Sequence, residues 1–152
     1  MKTTLFKVVA VISPLFLVAA CSSPLSIVAG ASEKNILTGL PGTNGKVLAV
    51  KVDDTPPAHP QIGIGDADVI YIEQVEGGLT RLATIFSSKY PDLIGPVRSA
   101  RVSDLDILAQ YGKVAFAYSG AQTKFRPKIQ QANLFDLSAE REPASIYSRD
   151  PN

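Results

Sequence analysis

The stretch from Ile94 to Asp104, IGPVRSARVSD, holds two arginines three residues apart among hydroxyl and methyl side chains. A guanidinium presents planar, bidentate donors that suit a phosphate or a carboxylate. A helix beginning near Ser103 would bring unpaired backbone N–H groups and the positive end of its dipole to the same place. Arg98 and Arg101, with the hydroxyls of Ser99 and Ser103, are therefore candidates for an anion site. Arg81 joins them if its strand lies beside this loop. An internal acid among Glu73, Glu76, Asp104 and Asp106 is the first partner expected for these arginines, and a phosphate the second. The two expectations differ in whether a face stays open.

The acids admit other chemistry. Glu73 and Glu76 could form a general acid/base pair, since carboxylates with separated pKa values do such work. Three residues apart on a strand they point to opposite faces, which suits a strand acid and a turn acid better. Asp104 and Asp106 fit the first turn of a helix. Asp53, Asp54, Asp66 and Asp68 bracket a loop rich in proline and glycine, but lack the spacing of a calcium-binding loop. His59 is the sole histidine and has no second histidine or nearby cysteine to complete a zinc site, so it is expected at the surface. No G-x-S-x-G, P-loop or G-x-G-x-x-G is present, so catalytic residues stay unassigned and no metal or cofactor is expected.

Several elements must position these residues. Lys46 to Val52, KVLAVKV, is short and β-branched, as a buried strand is. The following DDTPPAHPQIGIGDAD predicts a long ordered loop. VIYIEQV, 69 to 75, and LTRLATIFS, 79 to 87, flank Glu76-Gly77-Gly78 and read as a β-hairpin with a glycine turn. Arg81, Ala83 and Ile85 then share one face, and Leu82, Thr84 and Phe86 the other. VSDLDILAQYG, 102 to 112, predicts a helix with Ser103 as N-cap, an apolar stripe of Leu105, Leu108 and Ala109, and Gly112 as its left-handed terminator. KVAFAYS, 113 to 119, returns as a strand, and FRPKIQQANLF suggests a second short helix starting near Pro127. The alternation predicts an α/β domain with a mixed β-sheet and a few short helices, over residues 46 to 152.

The amino terminus bears on location. Residues 1 to 20 carry Lys2 and Lys7 and then an apolar run from Val8 to Ala20, of the length of a secretory signal and too short to span a bilayer stably. The run ends Val18-Ala19-Ala20-Cys21, which resembles a bacterial lipobox. That resemblance implies cleavage before Cys21 and acylation of its thiol. Cys21 is the only cysteine, so no internal disulfide competes for it. Several acyl chains on one residue would anchor durably where one holds only marginally. Residues 21 to 45, rich in Ser, Gly, Ala and Asn, read as a flexible tether. Without Lys2 and Lys7 the chain keeps 13 basic and 14 acidic residues, a net of −1, which argues against nucleic-acid binding.

LAVKVDDTPPAHPQIGIGDADVIY, VEGGLTRLATIFSS and IGPVRSARVSD resemble, in that order, the YerB-like family, bacterial proteins described as lipoproteins, with a domain of unknown function. The likeness covers about residues 38 to 150. Two positions depart from the family pattern: Asp54 stands for an asparagine, and Ile72 intervenes between Tyr71 and Glu73. The resemblance implies an exported, lipid-anchored α/β protein at the extracytoplasmic face of the cell membrane, with this chain as the N-terminal portion of a longer one. It implies no activity. Two functions follow as expectations. One is a binding module that takes an anionic envelope component or partner protein through Arg81, Arg98 and Arg101. The other is a cell-envelope enzyme acting on a phosphorylated or glycosidic substrate. A structural role would instead need an exposed apolar patch.

Overall fold

The computed structural model describes residues 33–149. The expected signal peptide, Cys21, and residues 21–32 of the expected tether lie outside the described residues.

Strand β1 (Leu48–Asp53) holds the centre of a five-stranded sheet. The hairpin of β2 (Val69–Gln74) and β3 (Thr80–Phe86) lies on one side, joined through a turn at Glu76–Gly78 in which Gly77 and Gly78 take positive φ. Glycine takes that conformation at no steric cost, which explains the paired glycines. β3 runs antiparallel to β1 with Asp53 opposite Arg81, and β2 runs antiparallel to β3 with Glu73 opposite Arg81. On the other side, β4 (Val114–Tyr118) pairs parallel with β1, and β5 (Leu134–Ser138) pairs parallel with β4. The sheet is mixed and the order is β2-β3-β1-β4-β5.

Helix α1 (Val102–Ala109) enters after β3, and α2 (Arg126–Gln131) links β4 to β5. Both pack on the face that carries Ala49, Ile85, Val114, Phe116 and Tyr118, and contribute Leu108 and Ile129 to it. Burying each such large apolar side chain is worth about 1.5–3 kcal/mol, so this layer dominates the stability of the fold. The opposite face, with Val50, Val52, Leu82 and Phe86, is covered by loop residues such as Ile64, Ala67, Ile94 and Val97. The long loop after β1 is thus ordered for a packing reason.

Four local expectations need correction. Residues 33–45 are not a loose tether: Asn35 is buried, its Oδ1 accepts the N–H groups of Leu37 and Thr38, and its Nδ2 donates to the Thr43 carbonyl. Arg101, not Ser103, is the N-cap of α1, because the Asp104 carboxylate reaches back to the Arg101 N–H at 2.6 Å. Ala109 is exposed, so the apolar stripe of α1 is Leu105 and Leu108. The segment read as the tail of the second helix contributes its Leu134 and Phe135 to β5.

Candidate functional site

The backbone of the arginine stretch is built into the sheet. Asp53 N–H donates to the Pro96 carbonyl, Arg98 N–H to Lys51, Ser119 N–H to Arg98 and Ala100 N–H to Gly120. Residues 96–100 therefore bond both to the end of β1 and to the residues just after β4, and deliver the chain directly into α1. Arg98 and Arg101 gain fixed origins from this arrangement, and Arg81 reaches the same place from β3, its Nη1 donating to the Ser99 carbonyl at 2.9 Å.

Each arginine has a partner inside the fold. Arg98 Nε lies 3.0 Å from Asp53 Oδ2, and Arg101 lies 2.9 Å from Glu76 Oε2 through both Nε and Nη2. Glu76 is among the acids expected from sequence, whereas Asp53 is not. Burial lowers the Arg81 pKa, and repulsion from Arg101 and Arg98 lowers it further, which places Arg81 within the field of the other two guanidinium groups. The Glu76 carboxyl is held below its ordinary value, first by a hydrogen bond to its own backbone and then by Arg101. An open groove beside this pair is lined by Gln74, Val75, Glu76, Arg101, Val102 and Ser103.

The hydroxyls are used differently from the expectation of a cradle beside the arginines. Ser103 donates to Glu73 Oε2, while Ser99 Oγ faces Ser119 Oγ at 3.4 Å. Asp106 makes no ion pair among the described residues, and those acids bracketing the long loop are dispersed. Asp54 accepts from Thr80 and Gln61, Asp66 pairs with Lys89, and Asp68 caps the N–H groups of Ser87 and Ser88. His59 is half exposed, 3.3 Å from Asp54. Among the described residues no three potential metal ligands of the His, Cys, Asp and Glu types gather.

Sequence reasoning missed the most deeply buried charge. Lys51 is fully buried on β1, with its ammonium bonded to Glu73 Oε1 and, at 2.8 Å, to Asp104 Oδ1. Alternation from Ala49 puts Lys51 on the helix-covered face, opposite the small Ala83 of β3. Glu73 comes from β2 and Asp104 from α1, so one ammonium joins three elements. Burial pushes the Glu73 carboxyl up, but the bonds from Lys51 and Ser103 outweigh it and hold the pKa below its ordinary value. Burial dominates at Asp104 and pushes it up to about 6, against the pull of Lys51. The signal in the sequence was a lysine set between two valines inside a β-forming run.

The domain is thus a mixed sheet with a helix-covered face and an arginine-bearing segment bonded across the ends of β1 and β4. The family model described as "Protein of unknown function (DUF3048) N-terminal domain" matches residues 37–152, and the chain belongs to that family. Among its relatives is the Bacillus subtilis (strain 168) protein named "Putative lipoprotein YerB", 44% identical over 69 residues, which are 43% of this chain and 21% of that protein. The crystal structure of YerB from Bacillus subtilis matches with a TM-score of 0.68 and 28% identity, over 78% of this chain and 44% of the YerB chain. The chain thus matches less than half the length of either. These likenesses bear out the family resemblance and the α/β fold class, and suggest a membrane-anchored location through the relative's description as a lipoprotein.

Proposed function

We propose that this chain is a lipoprotein anchored through Cys21 at the extracytoplasmic face of the cell membrane, and that its α/β domain is a binding module for an anionic envelope component. The observation that carries this reading is the gathering of Arg98 and Arg101 around Arg81, with Arg101 held by an exposed acid, Glu76, that an incoming anion can replace. The Arg98 side chain is 49% exposed, and Glu76, the partner of Arg101, is 62% exposed. Glu76 also sits in the glycine turn, so its release from Arg101 requires little of the strands. An anion entering the groove exchanges the exposed Glu76 carboxylate for its own charge and takes up the donors of Arg101, within the positive field of the neighbouring arginines.

The geometry favours binding over acid/base catalysis. Glu73 is neutralised by Lys51, which makes it a weak base, and Asp104 is fully buried and spends its oxygens on Lys51 and the Arg101 N–H. Thermal unfolding with and without pyrophosphate tests the reading. Stabilisation should rise with ligand concentration, be lost in Arg98→Ala/Arg101→Ala, and grow in Glu76→Gln, where the competing charge is gone. A response to pyrophosphate unchanged by all three substitutions would refute it.

A further inference from the structure

We propose that a second cavity, beyond the carboxyl ends of β4 and β5, binds the zwitterionic head of a small free amino acid. The site shares no residue with the arginine groove and does not depend on it. β4 and β5 are parallel, so their carboxyl ends open on the same side, where open α/β sheets characteristically take ligands. The walls alternate in charge. Arg141 Nη1 lies 3.1 Å from Asp136 Oδ2, and Arg126 Nη2 lies 2.6 Å from Glu140 Oε1. Asp136 is mostly shielded and is fixed by the buried Tyr118, whose hydroxyl donates to its Oδ1 at 2.7 Å. Gly120 leaves the Glu140 position open, since a Cβ there would come within 3.1 Å of Glu140 Oε1.

Charge and size together select the ligand class. A simple anion would reach Arg126 and Arg141 but lie against Asp136 and Glu140, and a simple cation would meet the reverse. A ligand with an ammonium and a carboxylate separated by one carbon answers both signs at once. Each arginine keeps donors for it: Arg126 uses Nε on the Ala121 carbonyl and Nη2 on Glu140, and Arg141 pairs through Nη1. The cavity is small, ≈ 80 Å³, and suits glycine or alanine better than a sugar or a nucleotide.

Titration of the full chain with glycine, followed by NMR, tests the assignment. Saturable shifts are expected at the backbone amides of Gly120, Ala121 and Ser138. Acetate alone and methylammonium alone should each bind at least about tenfold more weakly, the scale of one lost charge-assisted contact. Arg141→Gln should weaken glycine by a similar factor. The Arg141 side chain is half exposed, so the variant's remaining spectrum should be unchanged; Arg126→Gln provides a second test on the other wall. The proposal is overturned if glycine gives no saturable shift, if acetate binds as well as glycine, or if both arginine variants keep the parent affinity.

Discussion

Replacing Lys51 with methionine would remove the ammonium while keeping a flexible stem of similar length, so little cavity is left. Glu73 and Asp104 would remain buried without their cation. Breaking a buried pair from one side costs about 3–5 kcal/mol, and that is the loss expected at pH 7 in urea unfolding. The loss should depend on pH. Asp104, at about 6 with the lysine present, should be protonated across the neutral range without it. Its uptake of a proton on folding then becomes easier by about 1.4 kcal/mol per pH unit of acidification. The parent gains on the same path only as the pH falls through about 6, so the penalty should narrow by about 1–2 kcal/mol between pH 7 and 5. Adding Glu73→Gln and Asp104→Asn to Lys51→Met should recover part of the loss, because no buried charge is then orphaned. A single variant within about 1 kcal/mol of the parent at pH 7, or a penalty that ignores pH, would refute the claim that this lysine ties the helix to the sheet.

Asp104→Asn alone should flatten the pH profile of stability. The folded value of about 6 stands above the ordinary 3.8, so the parent's contribution is complete below 3.8 and is lost as the pH rises through 6, a decline that asparagine lacks. Gly63→Ala should cost about 2 kcal/mol or more by chemical denaturation. Gly63 has φ +76, and an added Cβ would lie 2.3 Å from the Leu93 carbonyl oxygen. Arg98→Ala should cost about 1–3 kcal/mol without ligand, because the half-exposed arginine leaves a shielded Asp53 carboxylate without its cation.

The hairpin, the strand at 113–119 and the helix after Val102 were legible because local periodicity and turn glycines specify them. Strand β5 was hidden. Its five residues, LFDLS, follow a helical stretch without a strong breaker, and their pairing with β4 is a tertiary event. Residues 33–45 misled through composition: Asn and Gly suit a linker, but Asn35 builds a turn there and its Nδ2 also lies 3.4 Å from Ser87 Oγ. The pairing of Arg101 with Glu76 could be anticipated from the acids at hand. That of Arg98 with Asp53 required the insertion of residues 96–100 beside β1, which no spacing announces.

The place of Lys51 has a consequence before the fold exists. β1 must wait for β4, its parallel partner far along the chain, and such non-local pairing forms slowly. During that interval Val47 to Val52, VLAVKV, is an uncovered β-forming run of the kind that aggregates. A solvated lysine within it is a gatekeeper, discouraging identical runs from stacking. Folding then silences the charge by supplying Glu73 and Asp104. The residue therefore guards the strand against other chains while it is exposed, and secures it to its own helix once it is buried.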